Sequence, residues 1–259
     1  VAKKISVVLL NGVLLVAMPA CALVNLGRDS MPTMVEVTIF TQEPRQTMEG
    51  FGASSRVWDD PHVSNAGSTS VPAAAQENVL TLLYTDLGLT RMRPVLDGGV
   101  EPINDNEDPA AFDWTKFHFE WKRTDAHISL VEQARAKGMT TFFVSPVMLE
   151  AWMTEDNPDE YVEWALAILL RWRDRGVELP YFSIINEPGY KRSGIWSAEW
   201  MRTVVKRLGA RMRQEGFRTM LVIPDDLNPA EAYKRASVVL RDSEARRYVG
   251  ALAYHLYDT

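Results

Sequence analysis

Residues 158–188 read PDEYVEWALAILLRWRDRGVELPYFSIINEP. Pro158 to Arg175 is a helical stretch that ends at Gly176, the residue a left-handed C-cap prefers. Tyr181 to Ile185 is then short, apolar and barely alternating, as a strand buried on both faces is. It closes on Asn186-Glu187, and Pro188 stops the ladder because it has no N–H to donate. The same unit recurs on either side. Ala73 to Asp86 leads into Gly88 to Arg93, and Lys122 to Lys137 ends at Gly138 and leads into Thr140 to Ser145. Ser197 to Glu215 ends at Gly216 and leads into Thr219 to Ile223, and Pro229 to Arg241 leads into Tyr248 to Tyr254. With the short strand inside Met48 to Ser54 ahead of them, six strands alternate with helices, which is the pattern of a parallel α/β sheet.

Two architectures share that pattern. A doubly wound nucleotide-binding sheet needs a glycine-rich turn after its first strand, and Gly50-Phe51-Gly52 lacks the third glycine. A barrel instead places polar chemistry at the carboxyl end of many different strands. Here those ends carry Ser54, Arg93 with Asp97, Ser145, Asn186-Glu187, Asp225-Asp226, and His255 with Tyr257. The sequence therefore predicts a (β/α)8 TIM barrel, of which about the first six βα units are present, over residues 48–259. Residues 23–47 are expected to form an N-terminal β segment and linker, with Val35 to Thr41 as its strand.

Residues 1–22 differ from the rest. Lys3 and Lys4 precede an apolar run from Ile5 to Ala20 and the small-x-small site Ala20-Cys21-Ala22, which together read as a signal peptide. The product is expected to be secreted or periplasmic. Cys21 is an alternative lipid attachment site, and retention of the run as a membrane anchor is a third reading. After leader cleavage no stable membrane insertion is expected. Of the 259 residues, 46% are hydrophobic and 24% charged, with a net charge of -6. That composition is globular, and the absence of a basic stripe speaks against nucleic acid as a partner. Arg171, Arg173 and Arg175 fall on a helix with acids nearby, a solvated face. No cofactor is implied, and His62, His118, His127 and His255 show no metal-ligand spacing.

Glu187 is the strongest candidate for chemistry. Hydrolysis of a glycosidic bond needs a protonated carboxyl at the leaving oxygen and a second carboxylate near the anomeric carbon. A strand-end glutamate, partly desolvated beside another carboxylate, is expected to have the raised pKa that the acid requires. Asn186, beside it, is placed to hold a sugar hydroxyl.

Asn186-Glu187-Pro188 after the fourth strand resembles the acid/base signature of the clan-A glycoside hydrolases, and the remainder resembles family 30. Gly50 to Ser54 is similar to that family's first strand and Gly88 to Arg93 with Asp97 to its second. Ser145-Pro146 with Ala151-Trp152-Met153 resembles the third, Leu221 to Asp226 the fifth, and Ala245 to Tyr257 the sixth. The resemblance implies a retaining O-glycoside hydrolase acting on β-linked glycans or glycoconjugates. Glu187 is then the acid/base, Arg93 lies near the nucleophile, and Trp152 stacks on a sugar. Asn186, Asp97, Asp226, His255 and Tyr257 contact the carbohydrate substrate. The nucleophile belongs at the end of a seventh strand, beyond residue 259, so residues 1–259 alone are expected to be inactive and poorly soluble, with two apolar sheet edges. Glu155, in the nucleophile-like stretch Trp152 to Glu155, is read as a loop acid. Two alternatives remain: a glycosidase of another clan-A family, and a carbohydrate-binding barrel without catalysis.

Overall fold

The computed structural model describes residues 7–10, 13–16, 47–55, 71–96, 98–119, 124–191 and 195–257. Asp97, the segment 35–41 and the loop 57–62 lie outside the described residues. The chain divides into two compact units, Val1–Glu49 and Gly50–Thr259. In the first, β1 (Val7–Leu10) pairs antiparallel with β2 (Val13–Val16), both inside the apolar run of the expected leader. Among the described residues no helix is long and apolar enough to cross a membrane.

The second unit is a parallel sheet built from β3 (Gly52–Ser54), β4 (Arg91–Arg93), β5 (Val95–Leu96), β6 (Thr141–Pro146), β7 (Tyr181–Ser183), β8 (Met220–Asp226) and β9 (Val249–Tyr254). The hydrogen-bonded order is β3-β4-β6-β7-β8-β9, with β5 also on β6. Strand order therefore equals chain order. A doubly wound sheet reverses at a switch point; this one never does, so it is the wall of an incomplete (β/α) barrel.

Helices fill the crossovers: α1 (Ala73–Leu80), α2 (Thr124–Ala136), α3 (Pro158–Asp174), α4 (Ala198–Gln214), α5 (Pro229–Arg241) and the short α6 (Ser243–Arg246). Their starts follow local chemistry. Asn228 caps α5 by accepting from the N–H groups of Ala230 and Glu231, with Pro229 in the first turn. The Ser197 hydroxyl accepts from the Trp200 N–H at the start of α4. Gly176 and Gly216 end α3 and α4 at φ +85° and +79°, conformations that a side chain resists. Beyond α1, residues Thr81–Asp86 widen into a π-helix, whose Tyr84 carbonyl lies against Gly138.

The core lies between the sheet and its helices. Residues Trp164 to Leu169 of α3 are wholly buried, as are Phe182, Ile184 and Ile185 of the fourth barrel strand and Met201, Val204, Val205 and Leu208 of α4. An ordinary surface helix shows one apolar stripe; α3 is covered nearly all round. The sheet margins differ. β8 is buried along its length, whereas β9 alternates, leaving Leu252 and Tyr254 more than half exposed.

Candidate active site

Parallel strands in one sheet all end at the same side, so the side chains at their carboxyl ends converge. β4 delivers Arg93 and β6 delivers Ser145. The segment continuing from β7 brings Asn186 and Glu187, β8 brings Asp225, and the residue after β9 is His255. The ladder continues beyond the ends of the regular strands: the Asn186 N–H donates to Pro146 O and the Glu187 N–H to Asp225 O, both at 2.7 Å.

Two local distortions aim this cluster. Successive strand residues point to opposite faces, so Asn186 and Glu187 could not both meet one site from a regular strand. Glu187 escapes this by adopting φ +52°, and Asp225 does the same at φ +56°. The left-handed region is costly for a residue with a Cβ, about 1–3 kcal/mol, and such strain gathers at functional sites. The pairing of β8 with β9 also slips between Pro224 and Asp226, leaving Asp225 as the extra residue of a bulge.

Asp225 is the hub; the sequence placed it at a strand end but gave the site role to its neighbour Asp226. Asp225 Oδ2 accepts from Ser145 Oγ at 2.6 Å, Ser183 Oγ at 3.0 Å and Arg93 Nη2 at 3.1 Å. Its Oδ1 lies 3.3 Å from His255 Nε2. Burial works against its charge, but the hydrogen bond from His255, the Arg93 guanidinium and the Ser145 hydroxyl outweigh it and hold the carboxyl down at about 2. Arg93 Nη2 also reaches Ser145 Oγ at 2.9 Å and Asn186 Oδ1 at 2.5 Å. His255 completes the chain with Nδ1 2.6 Å from Glu187 Oε1. Its hydrogen bond to Asp225 is the main reason its pKa is raised. Both ring nitrogens face carboxylates, so the ring, when protonated, donates to each. Glu187 is thus a buried-edge carboxyl whose neighbour can carry a proton, the arrangement needed by a group that gives and takes one.

The remaining candidates divide. Tyr257 lies beside the cluster, its ring edge-on to His255 with centroids 5.2 Å apart. Trp152 is half-buried, packs against the core and donates its indole N–H to the Glu101 carbonyl at 2.7 Å. Asp226 is not brought to the cluster. Completely buried, it pairs with Arg235 of α5 at 2.9 Å, because the bulge turns Asp225 inward and Asp226 out toward the helix layer. Glu155 accepts from the backbone N–H and hydroxyl of Ser197 at the start of α4. Ser145, named from its strand end, is in the cluster, and Ser183, which was not named, carried a usable signal: a small hydroxyl in an otherwise apolar strand.

An incomplete barrel wall with a hydrogen-bonded Arg-Asp-His-Glu relay across its strand ends defines a protein of the α/β-barrel class with a carboxyl-centred site. No family model matches the chain. A Caenorhabditis elegans protein described as "Putative glucosylceramidase 2" is 25% identical, over 87% of this chain and 49% of its own length. The endo-β1,6-glucanase structure superposes with a TM-score of 0.62 at 18% identity, covering 86% of this chain and 55% of its own. A family 30 endoxylanase from Clostridium papyrosolvens C71 gives 0.59 at 22% identity, with coverages of 83% and 51%. The chain spans about half the length of the curated relatives it matches. The resemblance to glycoside hydrolase family 30 thus holds in sequence and in fold, and the barrel read from the strand pattern is the one observed.

Proposed function

We propose that the full-length protein is an exported, retaining β-glycosidase acting on β-linked glycans or glycoconjugates, with Glu187 as its acid/base. The observation that carries this is the placement of Glu187: a strained strand-end residue whose carboxyl is bonded to His255 and flanked by Asn186. In this reading Glu187 protonates the leaving oxygen and then takes a proton from the attacking water, while Asn186 holds the hydroxyl next to the cleaved bond. The relatives' descriptions, a glucosylceramidase, a β1,6-glucanase and a xylanase, favour a β-linked carbohydrate.

A retaining mechanism needs a second, accessible carboxylate about 5–5.5 Å from the first. Asp225 is unsuited, since it is almost wholly buried and engaged by Ser145, Ser183 and Arg93. We assign it to electrostatics and place the nucleophile on chain outside residues 1–259. Residues 1–259 alone should then be inactive. Export rests on the basic-apolar leader, and N-terminal sequencing of the secreted product tests it.

The deciding experiment compares full-length wild type with Glu187→Gln on aryl β-glycosides, β-glucans, xylans and galactans. We expect the variant to lose about 10²–10⁴-fold in rate, with partial recovery on substrates bearing good leaving groups. Equal activity of the two would remove Glu187 from the mechanism. The enclosure of Asp225 also leaves a carbohydrate-binding barrel as the second reading, which an inert but sugar-binding wild type would establish.

A further inference from the structure

A second group of carboxyls lies where the loop after β5, the loop after β6 and the start of α3 meet. Glu101 and Glu163 are completely buried, and Glu150 and Glu160 nearly so. Glu150 is fully served. It accepts from the Gly99 N–H at 2.8 and 2.9 Å, the Glu101 N–H at 3.1 Å and the Trp164 indole at 3.2 Å. Its neighbours are not. Glu101 Oε1 accepts from the Asp105 N–H at 2.7 Å, but Glu101 Oε2, Asp105 Oδ1, Asn104 Oδ1, Glu160 Oε2 and both oxygens of Glu163 are buried without a donor.

A buried acceptor left without a donor is destabilising, and more so if it is charged. Among the described residues, the charged groups that act most on Glu101 are Asp105, Glu150 and Glu160, and those that act most on Glu163 are Asp105, Glu160 and Glu101, all of them acids. Among the described residues no three acidic, histidine or cysteine side chains form a set able to hold a metal ion. Protonation is a compensation the carboxyls can supply themselves. Two carboxylates cannot hydrogen-bond, but a carboxyl and a carboxylate can, and strongly. Glu163 stands in that relation to Glu160. Burial, first of all, pushes Glu101 and Glu163 up to about 8.

We propose that Glu101 and Glu163 are carried as neutral acids and that this proton-held clasp is a positioning device for Trp152. The connection is short. The Glu101 carbonyl accepts the Trp152 indole N–H, while Glu150, two residues before Trp152, grips the backbone at Gly99 and Glu101. The two loops are therefore tied at Glu101, through its carbonyl and its N–H, and at Gly99, and the buried Glu101 side chain anchors the first of these points. That Trp152 meets a sugar rests on the function proposed above; the clasp does not.

Hydrogen–deuterium exchange of full-length wild type and the Glu101→Gln/Glu163→Gln double variant tests this between pH 6 and 9.5, with rates corrected for the intrinsic effect of pH. Peptides covering 98–113 and 148–153 should lose protection in wild type by up to about tenfold per pH unit between pH 6 and 8, where the exposed carboxyl is ionised and the buried one is not, and level off above 8. The variant, whose amides cannot ionise, should stay flat. Equal loss in both proteins, or no loss in wild type, overturns the clasp. Restoration of wild-type protection at pH 9.5 by millimolar calcium chloride also overturns it, in favour of a cation. If the variant does not fold, carboxyl ¹³C titration of wild type decides: two glutamates with midpoints near 8 support the proposal, and all midpoints below 6 refute it. None of these readouts involves turnover, so they stand or fall separately from Glu187.

Discussion

The molecule holds buried acids in two ways. At the strand ends, Asp225 is surrounded by a guanidinium, an imidazole and two hydroxyls, and it stays ionised down to about 2. Between the loops and α3, Glu101 and Glu163 are surrounded by other acids and hold their protons up to about 8. Burial penalises the charge in both places. What differs is the neighbours, and the difference shows that depth alone does not decide protonation: donors and cations do.

The comparison can be broken most forcefully at Arg93. Arg93→Met should cost about 3–5 kcal/mol of stability, because it leaves the buried Asp225 charge without its guanidinium. Urea unfolding at pH 7 measures this, and a loss below about 1 kcal/mol would mean that the histidine and serines suffice. Ser145→Ala removes one hydrogen bond to the same carboxylate and should cost about 1.5–3 kcal/mol by the same measurement. Asp225 should also titrate higher in that variant.

The contrast is sharpened by the pH dependence, which spreads its effect over several pH units. Glu101 and Glu163 have folded pKa values raised from 4.5 to about 8. Their contribution is complete below about 4.5 and is lost as pH rises through 8, at up to about 1.4 kcal/mol per pH unit for each group. Asp225 is lowered from 3.8 to about 2, so its contribution is present above 3.8 and is lost as pH falls through 2. Wild-type stability should therefore decline on both sides, with Glu163→Gln flattening only the alkaline limb. Denaturant melts from pH 2 to 9 would expose a wrong assignment if that variant flattened the acid limb instead.

Much of the fold was legible along the chain. Apolar runs without alternation marked strands covered on both faces, and Gly138, Gly176 and Gly216 marked where helices stop. The site was legible where a residue sits at or just after a strand end, as Arg93 and His255 do, whereas the left-handed turn that aims Glu187 left no mark in the sequence. It was not legible at Asp225-Asp226. Strand parity assigns one acid to each face, and only the slip opposite β9 chooses between them. The loop-side acids were harder still. Glu160 and Glu163 stand on a helix rich in charge, where the ordinary expectation is a solvated face, yet α3 is enclosed almost all round.

The sequence by itself determined the order of helices and strands, the winding of the sheet and the side of it on which polar chemistry gathers, because those follow from local periodicity and backbone chemistry. Only the tertiary structure decided which acid of a pair faces the site, how Arg93 and His255 share it, and which glutamates are buried beside one another. Those outcomes depend on register and on what neighbouring elements bring, and charge in a buried place is set by the neighbours that arrive there from distant parts of the chain.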